Sequence, residues 1–233
     1  MPLTVLTWNA WWAHALAARG RRVAEILSAA GADVIVLTEA EADVLPAGGH
    51  FVDAGRDWGY AVQREGRRKV LMWSKEPWRD IDPLGDARMP PGRWIAATTD
   101  TELGPIRVVG VCIPWRGAHV TTGQSDRKPW QEHIAYLDAL PTALKSQPTP
   151  LVIAGDFNQR IPRARQPRDV ADALDHALNG LVVATEDGPK RSGLIDHVAH
   201  SPDLTARRSA ELPGVDADGK LSDHTGVVVT FNR

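Results

Sequence analysis

The sequence predicts an α/β sandwich, and three observations predict it. Many short apolar, β-branched runs are interleaved with only a few helical stretches. The chain opens strand, helix, strand, but the strands then outnumber the helices too heavily for a doubly wound parallel sheet. No internal repeat and no low-complexity linker divides the 233 residues, so residues 1–233 read as one domain.

Leu3 to Trp8 (LTVLTW) is a short apolar run and reads as a buried strand. Across residues 19–30, Val23, Ile26, Leu27 and Ala30 recur at helical spacing, and Gly31 supplies the stop. Val34 to Leu37 (VIVL) is a second buried strand. Tyr60–Gln63, Val70–Trp73, Trp94–Thr99 and Ile106–Ile113 are further strand candidates, set apart by turns such as Pro90-Pro91-Gly92. Trp130 to Leu144 reads as a helix with Ile134, Leu137, Leu140 and Leu144 on one face, which Pro141 is expected to bend or end early. Leu151–Ala154 is a buried strand and Val170–Leu178 a helix. Leu181–Thr185, Leu194–Ala199, a weaker Leu204–Ser209 and Val227–Phe231 complete the set.

Bulk composition narrows the class. Hydrophobic residues make up 43% and charged residues 24%, enough for a core and for solubility. The formal net charge of -2 does not advertise a strongly basic nucleic-acid binder, although local patches can serve a nuclease. A single cysteine, Cys112, allows no disulfide within the chain and suits a reducing compartment. No signal-peptide pattern and no membrane-length apolar run is visible, so the expectation is a soluble, cytoplasmic monomer with no membrane partner.

Chemistry-bearing residues gather at strand ends. Asn9 follows the first strand, Glu39 the second, and Asp156 and Asn158 the strand Leu151–Ala154. Asp196 and His197 interrupt an apolar stretch, and Asp223 and His224 precede the last strand. Four carboxylates and two amides, without a Cys pair or His-x-x-x-His spacing, favour hard oxygen coordination of Mg²⁺ or Mn²⁺ over zinc. A histidine beside such carboxylates suits phosphate-ester hydrolysis, which needs a metal to polarise the phosphoryl group and a base to align water. Taken singly, each residue is as readily a turn former or a helix cap. The joint pattern points to a site.

Five segments occur in order over residues 3 to 231: TWNA, VLTEA, GDFN, LIDHV and SDHTGV. In this order they resemble the endonuclease/exonuclease/phosphatase superfamily. The resemblance implies a four-layer α/β/β/α sandwich with two packed mixed β-sheets. It also implies roles. Glu39 would be the main metal carboxylate, supported by Asn9 and Asp223. Asp156 would orient or activate water, Asn158 would bind the scissile phosphate, His224 would contact the phosphate, and Asp196 would hold His224. Two positions depart from the family pattern. Trp11 stands where many repair-type members carry an Asp, and Cys112 stands where members usually carry a His or Tyr. His119, on the following loop, is a candidate substitute for that lost phosphate contact.

Arg160, Arg163, Arg165 and Arg168 follow GDFN, while Arg116, Arg127 and Lys128 follow Cys112; family members place these two regions on the substrate rim. Arg116, Lys128, Arg163 and Arg165 are therefore candidate phosphate contacts, and Trp11, Trp12 and Trp115 candidates to stack on an unpaired base or sugar. The competing reading is a solvated arginine loop and tryptophans that close the core. The function expected is a divalent-metal-dependent phosphodiesterase acting on nucleic acid, DNA first. The alternatives are a phosphatase or phosphodiesterase of a small-molecule or lipid phosphate, and a catalytically inactive binding module of the same fold. The last would be expected to have lost a metal or phosphate residue, yet Glu39, Asp156, Asn158, Asp223 and His224 are all present.

Overall fold

The computed structural model describes residues 2–61, 64–186 and 193–233. The first half holds β1 (Leu3–Ala13), α1 (Ala18–Ala29), β2 (Val34–Glu41), β3 (His50–Asp53), β4 (Arg67–Ser74), β5 (Trp78–Asp82), β6 (Trp94–Thr101) and β7 (Gly104–Cys112). The second half holds α2 (Gln131–Lys145), β8 (Leu151–Asp156), α3 (Arg168–Ala177), β9 (Val182–Val183), β10 (Asp196–His200), β11 (Thr205–Leu212), β12 (Val215–Asp216), β13 (Gly219–Lys220) and β14 (Gly226–Asn232).

Two six-stranded mixed sheets result, ordered β11-β14-β1-β2-β4-β3 and β5-β6-β7-β8-β10-β9. Each has one parallel pair, β1 with β2 and β7 with β8, among antiparallel neighbours. A parallel pair needs a crossover, and α1 and α2 supply the two. Strand alternation then sorts the side chains into layers. Leu3, Val5, Val34, Val36, Val152, Ala154 and Val198 face the gap between the sheets. Leu6, Trp8, Ile35 and Leu37 pack outward with Val23 and Leu27 of α1. Val109, Val111 and Ile153 pack outward with Tyr136, Leu137, Leu140 and Leu174 of α2 and α3. The expected four-layer α/β/β/α sandwich is the observed one.

Three sequence expectations change. Pro141 does not end α2, which runs through it to Lys145. The proline forfeits one backbone hydrogen bond, but Leu137, Leu140 and Ala143 are buried on either side and hold the helix to its sheet. Tyr60 and Ala61 lie in no strand, and the rest of the expected Tyr60–Gln63 strand, Val62 and Gln63, lies outside the described residues. Four strands went unforeseen: β3 and β5 each form one edge of a large sheet with sequences, HFVD and WRDID, that carry no buried run, and the two-residue β12 and β13 pair only with each other. No described helix is long and apolar enough to cross a membrane.

Candidate active site

The site lies at one end of the gap between the sheets, and alternation explains which residues reach it. In β8, Val152 and Ala154 face the gap, so Asp156 does too. In β10, Val198 faces the gap, and so does Asp196, the direct cross-strand partner of Asp156. In β7, Ile106 and Val108 place Cys112 in the same row, opposite Asp156 on the other side. Gly155 permits this close approach. Its φ is +143°, and a Cβ there would sit 1.9 Å from the Val111 carbonyl oxygen. The same alternation turns His197 away: it is fully buried, with Nδ1 at 2.9 Å from Thr185 Oγ1 and Nε2 at 3.0 Å from the Gln159 carbonyl. Its neighbour Asp196 serves the site; His197 serves the core.

From the other sheet, Leu3 and Val5 of β1 face the gap and carry Asn9 to it. Beyond Asn9 the β1–β2 register slips, and Trp11 and Trp12 take left-handed backbone conformations at φ 48° and 59°. Glu39 is also left-handed, at φ 50°. Leu37 and Ala40, three residues apart, both pack in the outer layer, which strict alternation forbids. The slip falls at Glu39. Such backbone strain in non-glycine residues costs on the order of 1–3 kcal/mol each and clusters at functional sites. Asn158, at φ 53°, adds a fourth instance.

These residues enclose a pocket of about 250 Å³, walled by Asn9, Glu39, Lys69, Arg93, Cys112, Trp115, Asp156, Asn158, Asp223 and His224. Asp156 is at its centre and almost fully buried. The Asn9 Nδ2 donates to its Oδ2 at 3.1 Å, the Asn158 Nδ2 donates to the same oxygen at 2.9 Å, and the Asn158 backbone N–H donates to Oδ1 at 2.8 Å. The Asn158 amide also donates to the Ile113 carbonyl at 2.8 Å, which fixes its orientation. His224 stands on Asp196, with Nδ1 at 2.9 Å from Oδ1. The other Asp196 oxygen accepts the Asn9 backbone N–H at 2.8 Å. Ser222 ties down the loop: its hydroxyl donates to the Asn9 carbonyl at 2.6 Å and accepts the His224 backbone N–H at 3.1 Å.

The electrostatics follow from this crowding. Burial, reinforced by Asp196 and Glu39 and opposed by His224 and the Asn158 N–H, pushes Asp156 up to about 7. Burial pulls His224 down, but Asp196, Asp156 and Asp223 together outweigh it and lift the imidazole to about 10. The pocket thus pairs a carboxylate that titrates near neutrality with a cationic imidazole.

Sequence reasoning missed two cations here. Lys69 of β4 holds Glu39 Oε1 at 2.5 Å, and the buried Arg93 donates to the Cys112 carbonyl at 3.2 Å. They stand beside the thiol where a family His or Tyr was expected, and they supply the positive charge it cannot. Neither lies in a recognisable motif. Lys69 is one of several basic residues opening a strand, and Arg93 follows a proline-glycine turn.

Of the expected substrate contacts, only Trp115 lines the pocket. His119 is buried instead in its own loop. Its ring stacks on Tyr60 at 4.4 Å, and Nδ1 accepts the Gln124 backbone N–H at 3.1 Å. Trp11 turns outward beneath Arg19 and Lys220, at 5.1 and 4.2 Å from its ring centre. Arg116, Lys128, Arg163 and Arg165 are exposed on surface loops, with Arg163 donating to the Gln166 carbonyl at 3.1 Å. The structure therefore brings together the seven residues expected in metal and catalytic roles, and leaves the basic loops outside.

The Endonuclease/Exonuclease/phosphatase family model matches residues 6–224, a span that includes every residue of this pocket. The chain belongs to the Endonuclease/Exonuclease/phosphatase family. Members of the Endonuclease/Exonuclease/phosphatase family are hydrolases acting on phosphate esters. Solved structures share the fold. The 3′ phosphatase NExo from Neisseria, bound to product DNA hairpin, is 22% identical with a TM-score of 0.67, covering 99% of this chain and 100% of that one. An AP endonuclease from Archaeoglobus fulgidus is 18% identical with a TM-score of 0.66 and the same coverage. The human Nocturnin catalytic domain, with a bound sulfate anion, is 16% identical with a TM-score of 0.66, covering 99% of this chain and 93% of that one. No curated protein sequence matches the chain.

Proposed function

We propose that this protein is a divalent-metal-dependent phosphodiesterase that acts as a nuclease on DNA. One observation carries the reading. Buried Asp156, held by two amides, faces the same pocket as an Asp196-backed His224, and Lys69 and Arg93 line that pocket too. A polar, cation-lined pocket with a base and an anion-stabilising imidazole fits a phosphate ester.

The donor set fits a hard divalent cation. Glu39, Asp223 and Asn9 line one pocket and offer two carboxylates and an amide, oxygen donors that suit such an ion. Glu39, Asn9 and Asp223 would hold Mg²⁺ or Mn²⁺, leaving Asp156 and His224 for proton and phosphate work. When bound, the ion supplies polarisation of the phosphoryl group. Asp156, raised to about 7, accepts a proton from the attacking water at neutral pH. His224, cationic on Asp196, donates to a non-bridging oxygen as negative charge builds there. Asn158 lines the same pocket and is the assigned contact to the scissile phosphate, which would have to displace one of its present amide hydrogen bonds.

The test is a cleavage assay with Mg²⁺, Mn²⁺ or EDTA on labelled single-stranded, double-stranded, nicked and abasic DNA and on RNA, beside a small phosphodiester, with Glu39→Ala as control. Metal-dependent cutting of DNA that vanishes in the variant supports the proposal. Turnover of the small ester alone would replace the nuclease with a small-molecule phosphodiesterase.

A further inference from the structure

Beside the catalytic pocket lies a second cleft of about 310 Å³, lined by Trp12, Trp58, Tyr60, Ala61, Arg67, Lys69, Arg93 and Trp115. Lys69, Arg93 and Trp115 line both, so the two cavities adjoin across two cations and one indole. We propose that this cleft is a binding site for one unpaired nucleobase of the strand whose phosphate occupies the catalytic pocket; this rests on the hydrolase reading above.

The walls are flat π surfaces rather than aliphatic ones. Trp12 stacks on Trp58 with ring centres 5.6 Å apart and planes 28° apart. Arg67 and Lys69 lie over the Trp12 ring at 4.9 and 5.1 Å from its centre. Tyr60 is fixed by His119, whose backbone N–H donates to the Tyr60 oxygen at 2.9 Å and whose ring stacks against it. Trp115 is 45% exposed, large and apolar, and lines both cavities. Trp12 adopts φ 59°, a conformation that bulky residues avoid.

Aromatic faces interleaved with cations are the chemistry that holds a base by stacking and its phosphate by charge. Stacking is sequence-tolerant because every base has a π face. A base inside a duplex is already stacked and paired and cannot enter a cleft of this size, so the occupant is an unpaired or displaced nucleotide. The exposed arginine loops after GDFN and Cys112 are not needed for this contact.

Two chromogenic esters separate the base site from the hydrolase. Thymidine 5′-(4-nitrophenyl phosphate) carries a base next to the reacting phosphate, and methyl 4-nitrophenyl phosphate carries none. Wild type is expected to favour the nucleoside ester in kcat/KM. In Trp115→Ala that preference falls about ten-fold, and Trp115→Phe, which keeps a flat ring, restores most of it. An unchanged ratio in Trp115→Ala overturns the base site while leaving the hydrolase standing. If neither ester is hydrolysed, binding decides in EDTA. Single-stranded oligothymidylate that binds wild type more tightly than its abasic analogue, with the difference lost in Trp115→Ala, upholds the base site without the hydrolase. Equal binding of the two strands overturns it.

Discussion

Nδ1 of His224 lies 2.9 Å from Oδ1 of Asp196, whose second oxygen accepts the backbone N–H of Asn9 from the opposite sheet. One buried carboxylate thereby sets both the charge of the imidazole and the position of the strand that carries Asn9. Asp196→Asn keeps the shape and removes the charge that most strongly raises His224. The expected result is a fall in kcat of about 100-fold with KM little changed, measured on any hydrolysed ester at saturating Mg²⁺. A rise in KM alone would make Asp196 a binding residue instead.

Asp156 and Glu39 are expected to separate in a calorimetric experiment. Asp156→Asn lowers turnover by about 1,000-fold yet keeps Mg²⁺ affinity within a few-fold, because the carboxylate acts on water. Loss of Mg²⁺ binding in that variant would exchange the two assignments.

Mg²⁺ is expected to stabilise the fold as well as serve the reaction. Glu39, Asp156, Asp196 and Asp223 crowd one end of the molecule, and a bound dication offsets their repulsion. At 100 times the dissociation constant the linkage is worth about 2.7 kcal/mol, or roughly 5 °C or more in Tm for a chain of this size. Thermal melts should show the shift in wild type, its reversal by EDTA, and its absence in Glu39→Gln.

His133 gives the fold an acid-sensitive joint away from the reaction. Its Nδ1 donates to the Pro114 carbonyl at 2.6 Å, and its Nε2 accepts the Gln159 amide N–H at 2.8 Å, an arrangement that requires the neutral ring. Burial, opposed by the Pro114 bond, pushes it down to about 4. Its contribution is complete above the unfolded value of about 6.5 and is lost as pH falls from there toward 4, where the unfolded chain binds the extra proton. The loss amounts to about 3 kcal/mol at the end of that window. Denaturant unfolding at pH 7 and pH 4.5 should show a smaller difference in His133→Gln than in wild type; equal differences would refute the assignment.

Cys112 is expected to be chemically silent. It is 1% exposed, and burial, opposed by Lys69 and Arg93, pushes its thiol up to about 12. A disulfide reagent at pH 8 should leave the native protein unlabelled and label it once per chain in denaturant. Rapid native labelling would mean that the gap between the sheets opens.

The clustering of the residues expected in metal and catalytic roles was legible because they sit in ordered segments at the ends of buried strands, where alternation fixes which way they point. Asp156 could be placed from Val152 and Ala154 alone. The remaining pocket lining was not legible. Lys69 and Arg93 are brought beside Cys112 by pairing between strands distant in sequence, and no local spacing encodes that. His119 was misplaced for the converse reason: a histidine in a loop carries no sign of whether it faces substrate or its own turn. Trp11 and Trp12 look equivalent in sequence, yet successive left-handed residues send one outward beneath Arg19 and the other into the cleft. The edge strands β3 and β5 escaped because solvent-facing strands need no apolar run.

β14 inserts between β11 and β1, and the loop that leads into it carries Asp223 and His224. The first strand of its sheet is therefore completed by the last, and the imidazole arrives only with that closing strand. A chain that stops between residues 156 and 223 holds Glu39 and Asp156 but not the imidazole of His224. The imidazole therefore takes its place opposite Asp196 only once the β14 strand has paired with β1.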